Sequence, residues 1–218
     1  MRRQHGLRSP EGQKGEQKEI GMDTATATII AAILSAVTTI VGMWLKNKVS
    51  YKTKNCIANQ ARIGANVYTA LQYIQSIMGS DRAYVFEFHN GGHYFSGRGQ
   101  QKFSTTYEYV EPGISPESDK SQDYRVSRYS QYLHDLITNG NFECSTDDIQ
   151  DESFKSLLRG KGVKSLYNVP IKTLNGKVIG ILGVDYVRSD FNGCVDCEDN
   201  NVEKFMRRQA RIVSGYLI

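Results

Sequence analysis

The run TATATIIAAILSAVTTIVGMWL, residues 24 to 45, carries no charge between Asp23 and Lys46. As a helix it rises roughly 33 Å at about 1.5 Å per residue, enough to cross the hydrocarbon core of a bilayer. A cleaved signal peptide and a buried core helix are the alternatives. The first is weakened by a long n-region of mixed charge and by the lack of a small-x-small cleavage site before Lys46. The second is weakened because no polar face runs along the segment. A membrane span over residues 23–45 is therefore the expectation. Ala31 and Ser35, Ala32 and Ala36, and Ser35 and Thr39 stand four apart, a spacing that lets two membrane helices approach closely. Trp44 suits a membrane interface.

The flanks orient such a span. Lys46, Lys48, Lys52, Lys54 and Arg62 follow it with no acid before Asp81, whereas Arg8, Lys14 and Lys18 precede it at greater distance. The positive-inside tendency then places the C-terminal part in the cytoplasm. Residues 1–22 read as a polar, disordered tail. Residues 46–56 read as a basic juxtamembrane linker, either a solvated flank or a contact for anionic headgroups. Of 218 residues, residues 57–218 remain for one domain. The net charge of +4 comes without a run of five basic residues, so nucleic acid is not an expected partner. Four cysteines, unevenly spaced, make no disulfide scaffold. A reducing compartment is the default, in agreement with a cytoplasmic domain.

Periodicity organises that domain. Ile63, Val67, Ala70, Leu71, Ile74, Ile77 and Met78 predict an amphipathic helix over 57–78, ended by Gly79-Ser80. RAYVFEFH, 82–89, predicts a strand with Tyr84, Phe86 and Phe88 on one face, closed by a turn at Asn90-Gly91-Gly92. A second strand is expected over 102–111, then a loop from Pro112 to Gln122. A short helix over 126–138 would bury Tyr129, Leu133, Leu136 and Ile137. A strand FECS and a small helix carrying Phe154, Leu157 and Leu158 follow. Strands 165–172 and 177–187 flank Asn175-Gly176, a strong hairpin signal. A last helix from about 199 to 217 would bury Val202, Phe205, Met206, Ile212, Val213 and Tyr216. The fold class is α+β: a mainly antiparallel sheet with the two terminal helices packed on one face and a pocket on the other, under the loops.

GVKSLYNVPI, the Asn-Gly hairpin and GKVIGILGVDYV resemble the paired central strands of the GAF domain, a small α+β module related to PAS domains. FECSTDDIQDESF resembles that family's approach to the hairpin, and VEKFMRRQARIVSGYL its last helix. The likeness spans residues 58–218. It implies a sensor or scaffold that binds a small ligand or dimerises. The cyclic-nucleotide motif of the NKFDE type and the chromophore-binding cysteine context of phytochromes are not found. YVFEFHNGGHYFSG resembles GAF-like proteins encoded by bacteriophages.

Strand alternation puts Glu87 and His89 opposite Tyr84, Phe86 and Phe88, and puts Asp185 with Ile181 and Gly183. If the Glu87 face lines the pocket, then Glu87, His89, Tyr167 and Asp185 converge on a ligand; otherwise they hydrogen-bond to loops. Asn90 to Gly99 is glycine-rich, so Asn90 and its neighbours could approach an anion and Arg98 could pair with it, but no helix follows to make a P-loop. Cys194 and Cys197 form one CxxC. They would hold a metal only if Cys144, His89 or His93 completed the set, and Asp196, Glu198 and Asp199 disfavour a reactive thiolate there. No nucleophile–base set is spaced for catalysis, so an enzyme is not expected, and the sequence names no cofactor. The leading expectation is a membrane-anchored GAF-like sensor or regulatory module, homo-oligomeric, acting through an unidentified small ligand or protein partner. The alternative is a structural or interaction protein that uses the same fold as a scaffold at a membrane.

Overall fold

The computed structural model describes residues 23–54, 56–194, 197 and 201–218. The expected tail over 1–22 and the acidic residues Asp196, Glu198 and Asp199 lie outside the described residues. The chain divides after Cys56 into two units.

The first unit contains helix α1 (Thr24–Lys54). Its segment Thr24–Lys46 is long and apolar enough to cross a membrane and buries nothing within the molecule. The threonines do not interrupt it, because their hydroxyls turn inward on their own backbone. Thr28 Oγ1 donates to Thr24 O at 2.8 Å, Thr38 Oγ1 to Leu34 O at 3.0 Å and Thr39 Oγ1 to Ser35 O at 2.8 Å. A hydroxyl satisfied in this way costs little in apolar surroundings. The helix continues to Lys54, so most of the basic stretch expected as a linker is helical. No Gly or Pro breaks it there, and lysine is a good helix former.

The second unit is a six-stranded antiparallel sheet between two helical layers. In chain order its elements are α2 (Cys56–Met78, of which all but the first residue belongs to this unit), β1 (Arg82–His93), β2 (Gly99–Val110), β3 (Tyr124–Arg125), α3 (Ser130–Asn139), β4 (Phe142–Ser145), α4 (Glu152–Gly160), β5 (Ser165–Lys172), β6 (Val178–Tyr186) and α5 (Val202–Leu217). The sheet order is β3-β2-β1-β6-β5-β4. One face packs Ala83, Val85, Val169, Ile171, Leu182 and Val184 against Val67, Leu71 and Ile74 of α2 and Met206 and Val213 of α5. The other packs Tyr84, Phe86, Phe103, Leu166 and Ile181 against Tyr132, Leu133 and Leu136 of α3 and Phe154 and Leu158 of α4. The terminal helices thus share one face, as the apolar spacing requires.

Gly79 ends α2 at φ 59°, where a residue with a Cβ would be strained. Gly176 turns the β5–β6 hairpin at φ 83°, with Gly176 N donating to Thr173 O at 2.9 Å. Three expectations fail locally. The Asn90-Gly91-Gly92 sequence does not reverse the chain. The strand passes through it with a register irregularity between Asn90 and His93 and turns four residues later, where Tyr94 N donates to Arg98 O at 2.9 Å. Glycine permits such a bulge as readily as a turn. The helix expected over 126–138 begins as a 3-10 turn, Val126–Tyr129. Within α3, Tyr132, Leu133 and Leu136 form the buried face at three-and-four spacing, and Ile137 falls at its edge, 41% exposed. In α5, Gln209, Ala210 and Ser214 take buried positions while Ile212 faces out.

Candidate functional site

A cavity lies between the aromatic face of the sheet and α3 and α4. Tyr84, Phe86 and Phe103 of the sheet and Phe154 and Leu158 of α4 are among its walls. Its enclosed space is about 20 Å3, room for roughly one water by the usual criterion of about 10–15 Å3. One carboxylate positions the helical wall. Asp151 Oδ1 accepts from Phe154 N at 3.0 Å, capping α4, and Oδ2 accepts from Tyr132 N at 3.3 Å in α3. The rings of Tyr132 and Phe154 then stack at 3.7 Å and 14°.

The floor is polar. The Tyr84 hydroxyl donates to Asn168 Oδ1 at 2.9 Å, and Asn168 Nδ2 donates to the Tyr132 hydroxyl oxygen at 2.7 Å. All three residues are buried. Burial pushes both phenols well above their ordinary range, so both stay neutral. Gly183 makes room for this chain. It faces Tyr84 and Asn168 across the neighbouring strands, and a Cβ there would collide with Asn168 Oδ1 and the Tyr84 ring.

The rim is charged. Arg82 Nε donates to Asp185 Oδ1 at 2.8 Å, with both side chains almost fully buried. Its other nitrogens reach Ser115 O and Lys161 O, each at 3.2 Å. Burial alone would lower the guanidinium's pKa. The Asp185 charge and hydrogen bond more than offset this and hold it above the ordinary value. Burial pushes the Asp185 carboxyl up to about 6 against the pull of Arg82, so the pair is ionised at neutral pH. Glu108 Oε2 accepts from Glu117 N at 2.9 Å and Ser118 N at 2.8 Å. This ties the segment between β2 and β3 over the cavity. Lys161 reaches the same segment, its Nζ 2.6 Å from Ser121 Oγ and 5.8 and 5.6 Å from the ring centroids of Phe86 and Tyr124. Burial lowers its pKa. A serine beside a depressed lysine has the parts of a nucleophile and its base. Here, however, Ser121 donates its hydroxyl to Glu117 O at 2.6 Å.

Of the six residues expected at the site, only Asp185 lines this cavity. The reason is register. β1 and β6 are antiparallel with Arg82 opposite Asp185, Tyr84 opposite Gly183, and Glu87 opposite Gly180. Directly paired residues share a face, so Asp185 joins Tyr84 and Phe86, whereas Glu87 and His89 belong to the face of Val85. Tyr167 pairs with Val184 and packs in the α2–α5 core, its hydroxyl accepting from Asn141 Nδ2 at 3.0 Å. His89 is exposed, with Nε2 2.9 Å from Ser104 Oγ and 4.0 Å from Asp123. Asn90 and Arg98 are exposed at the β1–β2 hairpin end, and Arg98 lies 5.6 Å from the Tyr94 ring. The expected convergence of Glu87, His89, Tyr167 and Asp185 is therefore replaced by Tyr84, Tyr132, Asn168, Lys161 and Asp185. The sequence signal for Asn168 is an amide in the middle of the apolar run LYNVP.

Cys194 and Cys197 are joined as a disulfide, which withdraws both thiols from metal binding and runs against the reducing compartment expected from the cysteines. Cys56 and Cys144 remain free. Burial, with Asp148 nearby, raises the Cys144 thiol, so it is not a thiolate. Among the described residues, no group of three or more His, Cys, Asp or Glu side chains is placed to hold a metal ion.

A sheet flanked by terminal helices on one face and by an aromatic cavity under α3 and α4 on the other defines a small α+β module. The chain belongs to the GAF domain family, whose model matches residues 64–208. Its structure is similar to the blue-light-absorbing form of the Thermosynechococcus elongatus PixJ GAF domain, with a TM-score of 0.56 at 14% identity over 73% of this chain and 87% of that one. A far-red cyanobacteriochrome photoreceptor gives 0.53 at 13% identity, over 80% and 96%. The GAF domain region of a Geobacter sulfurreducens PCA protein gives 0.52 at 13%, over 75% and 97%. At these identities the likeness shows the fold alone. No curated protein matches the sequence.

Proposed function

We propose that the chain is a membrane-anchored sensor or regulatory module that binds a small ligand in the cavity between the sheet and α3–α4, catalyses no reaction, and acts through a partner protein or a second copy. The observation that carries this reading is the Tyr84–Asn168–Tyr132 chain beneath Gly183. A core built for stability alone would fill that position with an apolar side chain, because buried polar groups add cost and little net stability. Binding is favoured over catalysis because the Ser121 hydroxyl is committed to a carbonyl and Asp185 to Arg82. Membrane attachment rests on α1, whose inward-turned hydroxyls and apolar surface suit a bilayer. For the second copy, α2 and α5 expose Tyr73 at 51% and Ile212 at 38% along a shared groove.

The test is a native mass spectrum of the full chain released from nanodiscs. Extra mass retained on the folded protein supports the sensor reading. A second reading, a scaffold with no ligand, is favoured by the smallness of the cavity. A homogeneous apo species that also refuses every small-molecule probe would select it. The anchor is tested separately: extraction at alkaline pH without detergent would refute a span, and digestion of the domain from outside intact cells would refute the cytoplasmic orientation.

A further inference from the structure

We infer that the cavity takes a small planar monoanion, a carboxylate on a single ring, whose charged end pairs with Lys161 while its ring enters among Phe86, Phe103 and Phe154. This rests on the ligand-binding reading above and names the class of ligand.

The argument begins with unspent hydrogen-bonding capacity. Each carboxylate on the rim already has donors: Asp185 has Arg82, Glu108 has two backbone amides, and Glu117 has Lys120 at 3.3 Å. Lys161 differs. An ammonium carries three donors, and its one hydrogen-bonded partner among the described residues is the Ser121 hydroxyl. No carboxylate among the described residues forms an ion pair with it. A half-buried cation with spare donors, held against aromatic rings at a cavity mouth, offers an anion a charge-assisted bond in partly desolvated surroundings.

The surroundings also select the charge and size of that anion. Asp185, Glu108 and Glu117 line the same cavity. Lys161 can offset one negative charge, whereas a dianion such as a phosphate monoester would bring a second close to Glu108, whose carboxylate is held by two backbone amides and forms no ion pair with a cation among the described residues. The walls are predominantly apolar and aromatic, so the remainder of the ligand is an apolar plane. The enclosed space of about 20 Å3 must open to admit even one ring. The ligand is therefore small, and its arrival is coupled to movement. Lys161 can keep Ser121 on one donor and offer another to the ligand carboxylate, so the movement is that of the walls around the ring.

The experiment uses the full chain in nanodiscs, with empty nanodiscs as the blank, and compares benzoate with its neutral counterpart benzamide by titration calorimetry. The expected result is saturable benzoate binding at least tenfold tighter than benzamide, a difference that Lys161→Met abolishes and Lys161→Arg largely retains. The benzoate–benzamide comparison is made on the unaltered protein, so it stands even if a Lys161 variant fails to fold. Equal binding of both probes overturns the anion assignment and leaves the ligand-binding reading intact. Failure of both probes, together with an apo mass spectrum, overturns both.

Discussion

The two faces of one sheet solve different problems. Toward α2 and α5 the buried side chains are mainly aliphatic: Val67, Leu71, Ile74, Val85, Val169, Leu182, Val184 and Val213. Buried polar side chains on that side, such as Gln75 and Ser214, bond to backbone carbonyls. Toward α3 and α4 the face is aromatic, and its rings meet mostly edge to face, as Phe86 meets Phe103 at 5.3 Å and 86°. Branched aliphatic side chains interlock and close space. Flat rings in edge-to-face contact keep specific angles and leave gaps between planes. The aromatic face is the one that keeps an enclosed space, of about 20 Å3.

The most damaging way to break that contrast is Arg82→Ala. It leaves the Asp185 carboxylate buried without its partner, and about 3–5 kcal/mol of stability should be lost, read as a fall in the urea midpoint of the full chain by near-ultraviolet circular dichroism. Leu71→Ala attacks the opposite face. It should cost about 2–4 kcal/mol and leave probe binding in calorimetry unchanged, and a change in binding would show that the faces are not separable. Gly183→Ala sharpens the comparison. The new methyl displaces Asn168 and Tyr84 and should cost about 1–3 kcal/mol, with loss of probe binding out of proportion to the loss of stability.

The smallest effect is a pH dependence. The folded-state pKa of Asp185 is raised to about 6 from 3.8, so between those values the native state binds more protons than the unfolded chain. Its contribution therefore becomes less favourable as pH rises through that window and is constant above it. Between about pH 7 and 5.5, the wild type should gain up to roughly 1 kcal/mol relative to Asp185→Asn. Parallel pH profiles for the two proteins would contradict the raised carboxyl.

The sequence displays the helix face more fully than the cavity face, for a physical reason. Val67, Leu71, Ile74 and Met78 recur at helical spacing, and a helix reports its own buried side without reference to any neighbour. The hairpin at Asn175-Gly176 is equally local. The aromatic side of β1 is legible too, but whether it or the Glu87 side faces the cavity depends on pairing with β6. Strand alternation says only that the two sides differ. Lys161 is hidden for another reason. It follows α4 at a bend, outside any periodic pattern, and only the fold brings it to Ser121, forty residues earlier in the chain. Tyr132 and Ile137 both stand at helical spacing from Leu133 and Leu136, and the spacing alone does not say which of the two lies on the buried side.

Arg82 joins three distant stretches of chain through one guanidinium. Its partners lie 103, 33 and 79 residues away along the sequence. The two strand hairpins can form from near neighbours, but each of these contacts closes a long loop, and such contacts are gained late because their entropy cost comes before their reward. The rim of the cavity should accordingly be assembled last and released first. The Arg82→Ala loss should then appear mainly as faster unfolding, with the refolding rate nearly preserved. The part of the domain proposed to admit a ligand is then also the part that the chain completes at the end of its folding.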